Sequence, residues 1–386
     1  MTQQASGNGG GREELGVAMV GHAFMGAVHS QAWRSVARFF DVPVTPRMAV
    51  LTGRDADRAA QAADRMGWES ASTDWRAVLE RDDIDLVDIC TPGDTHAEIA
   101  IAALEAGKHV LCEKPLANTV DEAQRMVEAA ERARERGVYS MVAFNYRRVP
   151  ALAFARKLVA EGRLGELRHV RAVYLQDWLA DADSPMTWRL RKEQAGSGAL
   201  GDIGAHIIDA TQFVTGQRIS GVSGLTETFV RQRPSGEGTE DVTVDDCAIF
   251  TARFDSGAVG SFEATRYALG RKNAMRMEIN GSRGSLSFDF ESMNELWFHD
   301  GDEDPETGGF RRIVVTEPTH PYLGAWWPPG HVLGYEHTFT HELADLLTAL
   351  AAGTAPEPSF ADGLRVQRVL SAVEHSAENG SKYIQV

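Results

Sequence analysis

What most constrains this chain is a rhythm in its first 144 residues, where short apolar runs alternate with helical stretches that carry their own start and stop residues. Residues 15–20 form an apolar run of strand length, followed by a glycine-bearing turn and a helical stretch over about 25–40. Residues 48–52 read as a second strand. Asp55 then stands as N-cap of a helix reaching Met66, with Gly67 just past its end. Residues 84–90 are a further strand, and 95–106 an alanine-rich helix closed by Gly107. Residues 109–112 are a strand. A helix over 119–136 follows, with Thr119 and Glu122 spaced as a capping box, and 138–144 closes the series. Parallel strands need crossover helices, so this sixfold alternation predicts an α/β fold with a doubly wound parallel sheet.

After Pro150 the rhythm changes. A helix over 151–161 leads into a long alternating run over 167–178. From Gly221 onward, strand-like runs are separated by turn residues. Asp255-Ser256-Gly257 joins 248–254 to 258–264, and Asn280-Gly281 precedes 285–290. Two helical stretches, 335–352 and 361–378, finish the chain. The expectation is a tail over 1–14, a dinucleotide-binding α/β domain over 15–145, and an α+β domain over 146–386. The second domain should carry a large, mainly antiparallel sheet, whose exposed face suits pairing into a homodimer or homotetramer.

Composition narrows the function classes. The 386 residues carry a formal charge of −16, which argues against a duplex nucleic-acid partner, because phosphate neutralisation needs a basic face. The three cysteines, Cys90, Cys112 and Cys247, are widely spaced and form no disulfide framework, which points to a reducing cytoplasm. No apolar run reaches membrane-spanning length and no basic-then-apolar leader opens the chain, so no membrane partner is expected. The glycine-rich stretch Ser6-Gly7-Asn8-Gly9-Gly10-Gly11 reads as part of a disordered tail.

Gly21-His22-Ala23-Phe24-Met25-Gly26 follows the first strand and opens the first helix. Such a turn presents backbone N–H groups at the positive end of a helix dipole and so suits a pyrophosphate. Ala23 stands where the usual fingerprint has glycine. The second strand should end on an acid for the adenosine ribose, but Gly53 is there and Arg54 follows. A missing carboxylate beside a cation leaves room for a 2′-phosphate, so NAD and NADP both remain open.

Glu113-Lys114-Pro115 follows the strand over 109–112, and with it the chain resembles the Gfo/Idh/MocA oxidoreductases. The 21–26 turn with His29 agrees, as do Thr91-Pro92 with His96, the stretch Phe144-Asn145-Tyr146-Arg147-Arg148, and the segment from Gly198 to His206 that contains Asp202. The second half is most similar to a branch that oxidises a ring hydroxyl, notably at C3 of a pyranose. Tyr174-Leu175-Gln176-Asp177-Trp178, Ser184-Pro185, Trp188-Arg189, His320-Pro321-Tyr322 and Gly334-Tyr335 carry that closer likeness. The resemblance implies dinucleotide contacts from Thr91, Pro92, His96, Glu113 and Lys114, beside those from Gly21, Ala23, Phe24, Met25, Gly26, Gly53 and Arg54.

Alcohol oxidation needs a base for the hydroxyl proton and a cation near the developing alkoxide. Asp202 and His206 lie four apart on a predicted helix and so share a face. His206 is expected to be the base and Asp202 its orienter or relay partner, while Lys114 polarises the reacting oxygen. Tyr146, Arg147, Gln176, Trp178, Trp188, Arg189 and Tyr335 are the candidate contacts to a sugar or cyclitol, through aromatic stacking and hydrogen bonding. The bland alternative makes Asp202 a helix cap and His206 a core residue. His337 and His341 also lie four apart, but no HExxH pattern or third ligand accompanies them, so no metal is expected. Two further functions share this scaffold: an NAD-dependent glycoside hydrolase using transient C3 oxidation, and a cofactor-sensing regulator. A sensor would need none of the three catalytic candidates.

Overall fold

The structure, a computed structural model, describes residues 14–386. The expected tail therefore lies outside the described residues, except for Glu14, which begins the first strand.

The first layer follows the alternation in the sequence. Its elements are β1 (Glu14–Val20), α1 (Phe24–Phe39), β2 (Thr45–Thr52), α2 (Ala56–Met66), β3 (Ala71–Ser72), α3 (Trp75–Leu79), β4 (Leu86–Ile89), α4 (His96–Glu105), β5 (His109–Glu113), α5 (Val120–Arg134) and β6 (Ser140–Ala143). All six strands are parallel, in the order β3-β2-β1-β4-β5-β6. Burial on both faces makes their sequences near-continuous apolar runs rather than alternating ones. The helix signals act as read. Asp55 accepts from Arg58 N at 2.9 Å, Gly67 is left-handed with φ 82°, and Thr119 and Glu122 form the capping box. The two-residue β3 and the five-residue α3 went unread, being too short to show a period.

The chain continues through α6 (Pro150–Ala160), β7 (Leu167–Leu175), α7 (Lys192–Ala195) and α8 (Ala205–Thr215). Next come β8 (Ile219–Glu227), β9 (Gln232–Ser235), β10 (Gly238–Asp241), β11 (Cys247–Phe254), β12 (Val259–Thr265), β13 (Ala274–Gly281), β14 (Gly284–Asp289), β15 (Glu295–Asp300) and β16 (Arg311–Val314). The last elements are α9 (Tyr335–Ala351), α10 (Phe360–Glu378) and β17 (Ile384–Gln385). Nine of these strands make one sheet, in the order β16-β15-β14-β13-β7-β12-β11-β8-β17. It is antiparallel except where β12 runs parallel to β7. The β11–β12 hairpin forms as the Asp-Ser-Gly signal predicts. Asn280 and Gly281 belong to β13 instead, and the turn falls at Ser282 and Arg283.

The last two helices return to the first layer: α9 packs on α1 and α10 on α5. Tyr335, at the start of α9, thereby reaches Phe24 in the turn that follows β1. The three cysteines are buried free thiols. Among the described residues no helix is long and apolar enough to cross a membrane.

Candidate active site

In the parallel sheet the strand order reverses between β1 and β4, and the loops leaving their C-terminal ends open a crevice there. Gly21 has φ 101°, and a Cβ on it would fall 2.7 Å from Cys90 O; one on Gly26 would fall 2.3 Å from Gly21 O. Both positions need glycine for contact between the two loops and for the tight entry into α1. Helix α1 has no side-chain N-cap and no acid in its first turn, whereas α2, α3, α5 and α10 are capped by Asp55, Asp74, Thr119 and Ser359. Its open N–H groups fit a dinucleotide's pyrophosphate. Ala23 occupies the N-cap position, and Met25 is partly buried behind it. Gly53 ends up beneath His22, since a Cβ there would fall 2.5 Å from the imidazole. The histidine thus fills the space where a ribose-binding acid would project. Arg54 is exposed at the crevice edge, and its charge reaches Asp94.

Three residues expected to touch the dinucleotide also brace the loops around the crevice. Thr91 accepts from the Thr95 hydroxyl at 2.7 Å. His96 places its ring nitrogens 2.9 Å from Pro115 O and 2.9 Å from Thr91 O, so it ties the β4 loop to the β5 loop. Pro92 begins the short turn between them. Glu113 is buried, with Oε1 3.0 Å from His29 Nε2 and Oε2 accepting from Lys114 N at 3.0 Å. Nδ1 of His29 lies 3.0 Å from both oxygens of Asp88, which also accepts from Trp33 Nε1 at 2.7 Å. Burial alone would discharge His29, but Asp88 outweighs it and raises the pKa well above the ordinary value. Both His29 nitrogens are engaged by carboxylates, and burial keeps the nearby Cys90 thiol protonated, so this cluster is an ion-pair chain rather than a metal site.

Across the crevice, Asp245 from the second domain caps the segment leading to Asp202. Its carboxylate accepts from Gly198 N at 2.7 Å and Leu200 N at 2.8 Å. Asp202 sits in a π-helical turn, Leu200–Gly204, that precedes α8. Asp202 and His206 are not joined by a hydrogen bond. Asp202 engages cations instead. Lys114 Nζ donates to Asp202 O at 2.7 Å and lies 3.7 Å from Oδ1, and Arg266 Nη1 is 3.5 Å from Oδ2. Burial pushes the Asp202 pKa up, but Lys114, Arg266 and Arg189 together bring it below the ordinary carboxylate value. The Lys114–Pro115 peptide is cis.

His206 is buried on α8, and its ring lies 4.4 Å from that of Tyr146. Burial, then the charge of Lys114, push its pKa well below 6.5, so the ring is neutral. Neither ring nitrogen has a protein hydrogen-bond partner among the described residues, and Nδ1 is fully enclosed.

The candidate substrate contacts divide. Gln176 Nε2 donates to Asn273 Oδ1 at 2.8 Å and Gln176 Oε1 accepts from Trp178 Nε1 at 3.0 Å, on the crevice side of β7. Trp178 is 44% exposed and lies over the Arg266 guanidinium, so it is no core residue. Arg189 stacks on Trp188 at 4.4 Å, and its charge reaches Asp202. Tyr335 packs against Phe24, Tyr146 and Phe339, forming an aromatic wall from the dinucleotide turn to His206. Phe24 is 62% exposed at the end of that wall. The Tyr146 hydroxyl is 2.6 Å from that of Tyr174, which donates to Asn273 Oδ1 at 2.6 Å. The chain of donors therefore runs from Tyr146 to Asn273. Burial pushes the Tyr146 pKa to about 12.

Arg147 does not face the crevice. It is buried, and its Nε donates to Asp209 at 2.9 Å, with Asp362 3.6 Å from Nη2. A buried guanidinium needs carboxylate partners, and these leave it unavailable to a sugar. His341 likewise is committed: Nδ1 lies 2.9 Å from Arg148 O and Nε2 accepts from Trp326 at 2.7 Å.

Arg266, Asn273, Asp245 and Asp88 went unread because no local motif marks them. They enter through strand pairing and the sheet switch point. Arg266 follows the end of β12, whose Thr265 pairs with Leu175 just before Gln176.

Comparison with known proteins agrees with the two-part architecture. Residues 15–143 match the model of the oxidoreductase family with an NAD-binding Rossmann fold, and residues 152–287 match the GFO/IDH/MocA C-terminal domain. Levoglucosan dehydrogenase of Pseudarthrobacter phenanthrenivorans is 42% identical over 385 residues, covering 96% of this chain and 97% of that protein. Among solved structures, an oxidoreductase domain protein from Kribbella flavida superposes with TM-score 0.95 at 65% identity, over 97% of this chain and 99% of that one. A levoglucosan dehydrogenase in complex with NADH and levoglucosan gives 0.93 at 42% identity, over 97% and 100%. With an NAD-binding parallel sheet followed by the matching C-terminal domain, this chain belongs to the Gfo/Idh/MocA family of oxidoreductases.

Proposed function

We propose that this protein is an NAD-dependent dehydrogenase that oxidises a ring hydroxyl of a sugar, anhydrosugar, glycoside or cyclitol, with C3 as the candidate position where the ring is a pyranose. The observation that carries the reading is the meeting of two lobes. Lys114, on the loop after β5, places its ammonium 2.7 Å from the Asp202 carbonyl beside neutral His206 on α8. The similar levoglucosan dehydrogenase binds NADH and levoglucosan, which favours an anhydrosugar or pyranose and NAD over NADP. In the proposed division of labour, residues 15–145 hold the dinucleotide and 146–386 the sugar.

The bound dinucleotide supplies the hydride acceptor. As hydride leaves the carbinol carbon, the hydroxyl proton must be removed. His206 is poised to take it, because the ring enters neutral with unpartnered nitrogens. Lys114 stabilises the developing alkoxide. Asp202 keeps that ammonium in place, rather than orienting the imidazole. Trp178, Trp188 and Tyr335 offer faces to the C–H surfaces of a sugar, and Gln176 and Arg189 offer donors to its hydroxyls.

The outer face of the nine-stranded sheet exposes Leu225, Ile249, Val259 and Trp297, and a homodimer or homotetramer would bury this face. Three buried free thiols fit a cytoplasmic location. The test is a panel of sugars, anhydrosugars, glycosides and inositols followed by nicotinamide absorbance with NAD and NADP in turn. Net NADH formation with a pyranose or anhydrosugar is expected. Aglycone release without net NADH, or no turnover on any of them, defeats the reading.

A further inference from the structure

We infer that the buried chain Asp88–His29–Glu113 positions Lys114, fixing it relative to the helix that receives the dinucleotide, so that His29 and Glu113 are positioning residues for hydride transfer. The inference rests on the role proposed above for Lys114.

Three elements contribute. His29 lies in the second turn of α1, whose first turn is the open N-terminus at the crevice. Asp88 is in β4, and Glu113 is the last residue of β5, immediately before Lys114. Each is at most 4% exposed. The contacts are continuous: Trp33 Nε1 to Asp88 at 2.7 Å, Asp88 to His29 Nδ1 at 3.0 Å, His29 Nε2 to Glu113 Oε1 at 3.0 Å, and Lys114 N to Glu113 Oε2 at 3.0 Å. Both oxygens of Glu113 are thus used, one on the dinucleotide helix and one on the backbone of the lysine. From Lys114 the chain passes through Nζ to Asp202 and so to Arg266 in the second domain.

Such a chain is a poor way to gain stability. Taking one imidazole and two carboxylates out of water costs more than packing apolar side chains of the same volume, and replacing buried ion pairs by such side chains is often neutral or stabilising. Apolar residues already fill the surroundings, among them Met19, Leu86, Leu111 and Phe339. What charge adds here is direction. Three hydrogen bonds at 3.0 Å define where the Lys114 backbone starts, and misplacing a catalytic group by about 1 Å costs on the order of a hundredfold in rate.

The experiment is a double-mutant cycle with His29→Gln and Lys114→Ala, read as kcat, sugar KM and the Kd for NADH from nicotinamide fluorescence. His29→Gln keeps a neutral donor and acceptor but drops the charge and the two-sided clamp. The expected result is a kcat at least tenfold lower, NADH Kd within about twofold of wild type, and little further loss when His29→Gln is added to Lys114→Ala, because coupled residues are not additive. A purely structural role would lower the melting point and the two kcat values by equal factors. Full additivity, or wild-type kcat in His29→Gln, overturns the inference while leaving the dehydrogenase reading standing. Wild-type turnover in Lys114→Ala overturns both. Should His29→Gln not fold, Glu113→Gln in the same cycle applies the same criteria.

Discussion

Two buried histidines lie on either lobe of the crevice, one linked to Lys114 through Glu113 and the other under its charge, and their pKa values are shifted in opposite directions. His29 is enclosed by Asp88 and Glu113 and is an imidazolium; His206 is enclosed by aromatic rings with Lys114 nearby and is neutral. Burial pushes both toward neutrality, so their neighbours decide between them. The first-domain region uses charge to hold geometry. In the second-domain region its absence leaves the imidazole neutral, as the proposed base must be. A buried histidine is therefore not one kind of residue, and its role follows from what its two nitrogens meet.

That contrast can be broken by experiment. The largest expected effect is in His29→Ala, which leaves buried carboxylates without their cation and should lower unfolding free energy by about 3–5 kcal/mol in urea titration. His206→Ala should lower it far less, since no buried charge is orphaned. Next, His206→Ala and Lys114→Ala should each reduce turnover by about a hundredfold or more in a steady-state NADH assay. Near-wild-type rates in both would remove the proposed chemistry.

The pH response is the sharper comparison, because the two signs oppose. His206 has a folded pKa below the unfolded 6.5, so its contribution is present above pH 6.5 and is lost as pH falls through the folded value. His29 has a folded pKa above 6.5, so its contribution is full below pH 6.5 and is lost as pH rises through the folded value. Relative to His206→Phe, the wild type should lose up to about 1.4 kcal/mol per pH unit on acidification from 6.5. Relative to His29→Gln, it should lose stability on alkalinisation. Denaturation between pH 5 and 9 checks this, and slopes of the same sign would refute the contrast. Glu342, held protonated by burial with a pKa of about 8 near His29, belongs with the first region, because its contribution is lost as pH rises from about 4.5 through 8. The smallest effect is expected from Tyr146→Phe, which removes one hydrogen bond to Tyr174 and should cost about 1 kcal/mol in stability.

Much of the fold was legible because its signals are local. The caps at Asp55 and Thr119, the left-handed Gly67 and the Asp255-Ser256-Gly257 turn each involve residues within a few positions of one another. Part of the site was legible for a related reason: the glycine turn and the Glu-Lys-Pro stretch are short and chemically distinctive. Arg147 misled because a cation beside a tyrosine reads as a sugar contact, and its partners Asp209 and Asp362 lie 62 and 215 positions away. The cations that meet Asp202 could not be read locally, because Lys114 and Arg266 lie 88 and 64 positions away.

By itself the sequence determined the alternation of the longer strands and helices in the first layer, and that Gly21 and Gly26 line a tight turn, since sterics and capping act over a few residues. Only the tertiary structure decided which carboxylate meets which cation, that burial and neighbours shift the pKa of His206 down and of His29 up, and that Asp202 contacts Lys114 and Arg266 with no hydrogen bond to the imidazole. Those outcomes depend on electrostatic sums over groups from separate strands and helices, brought within about 4 Å by sheet order and register, and no short stretch of chain contains those sums.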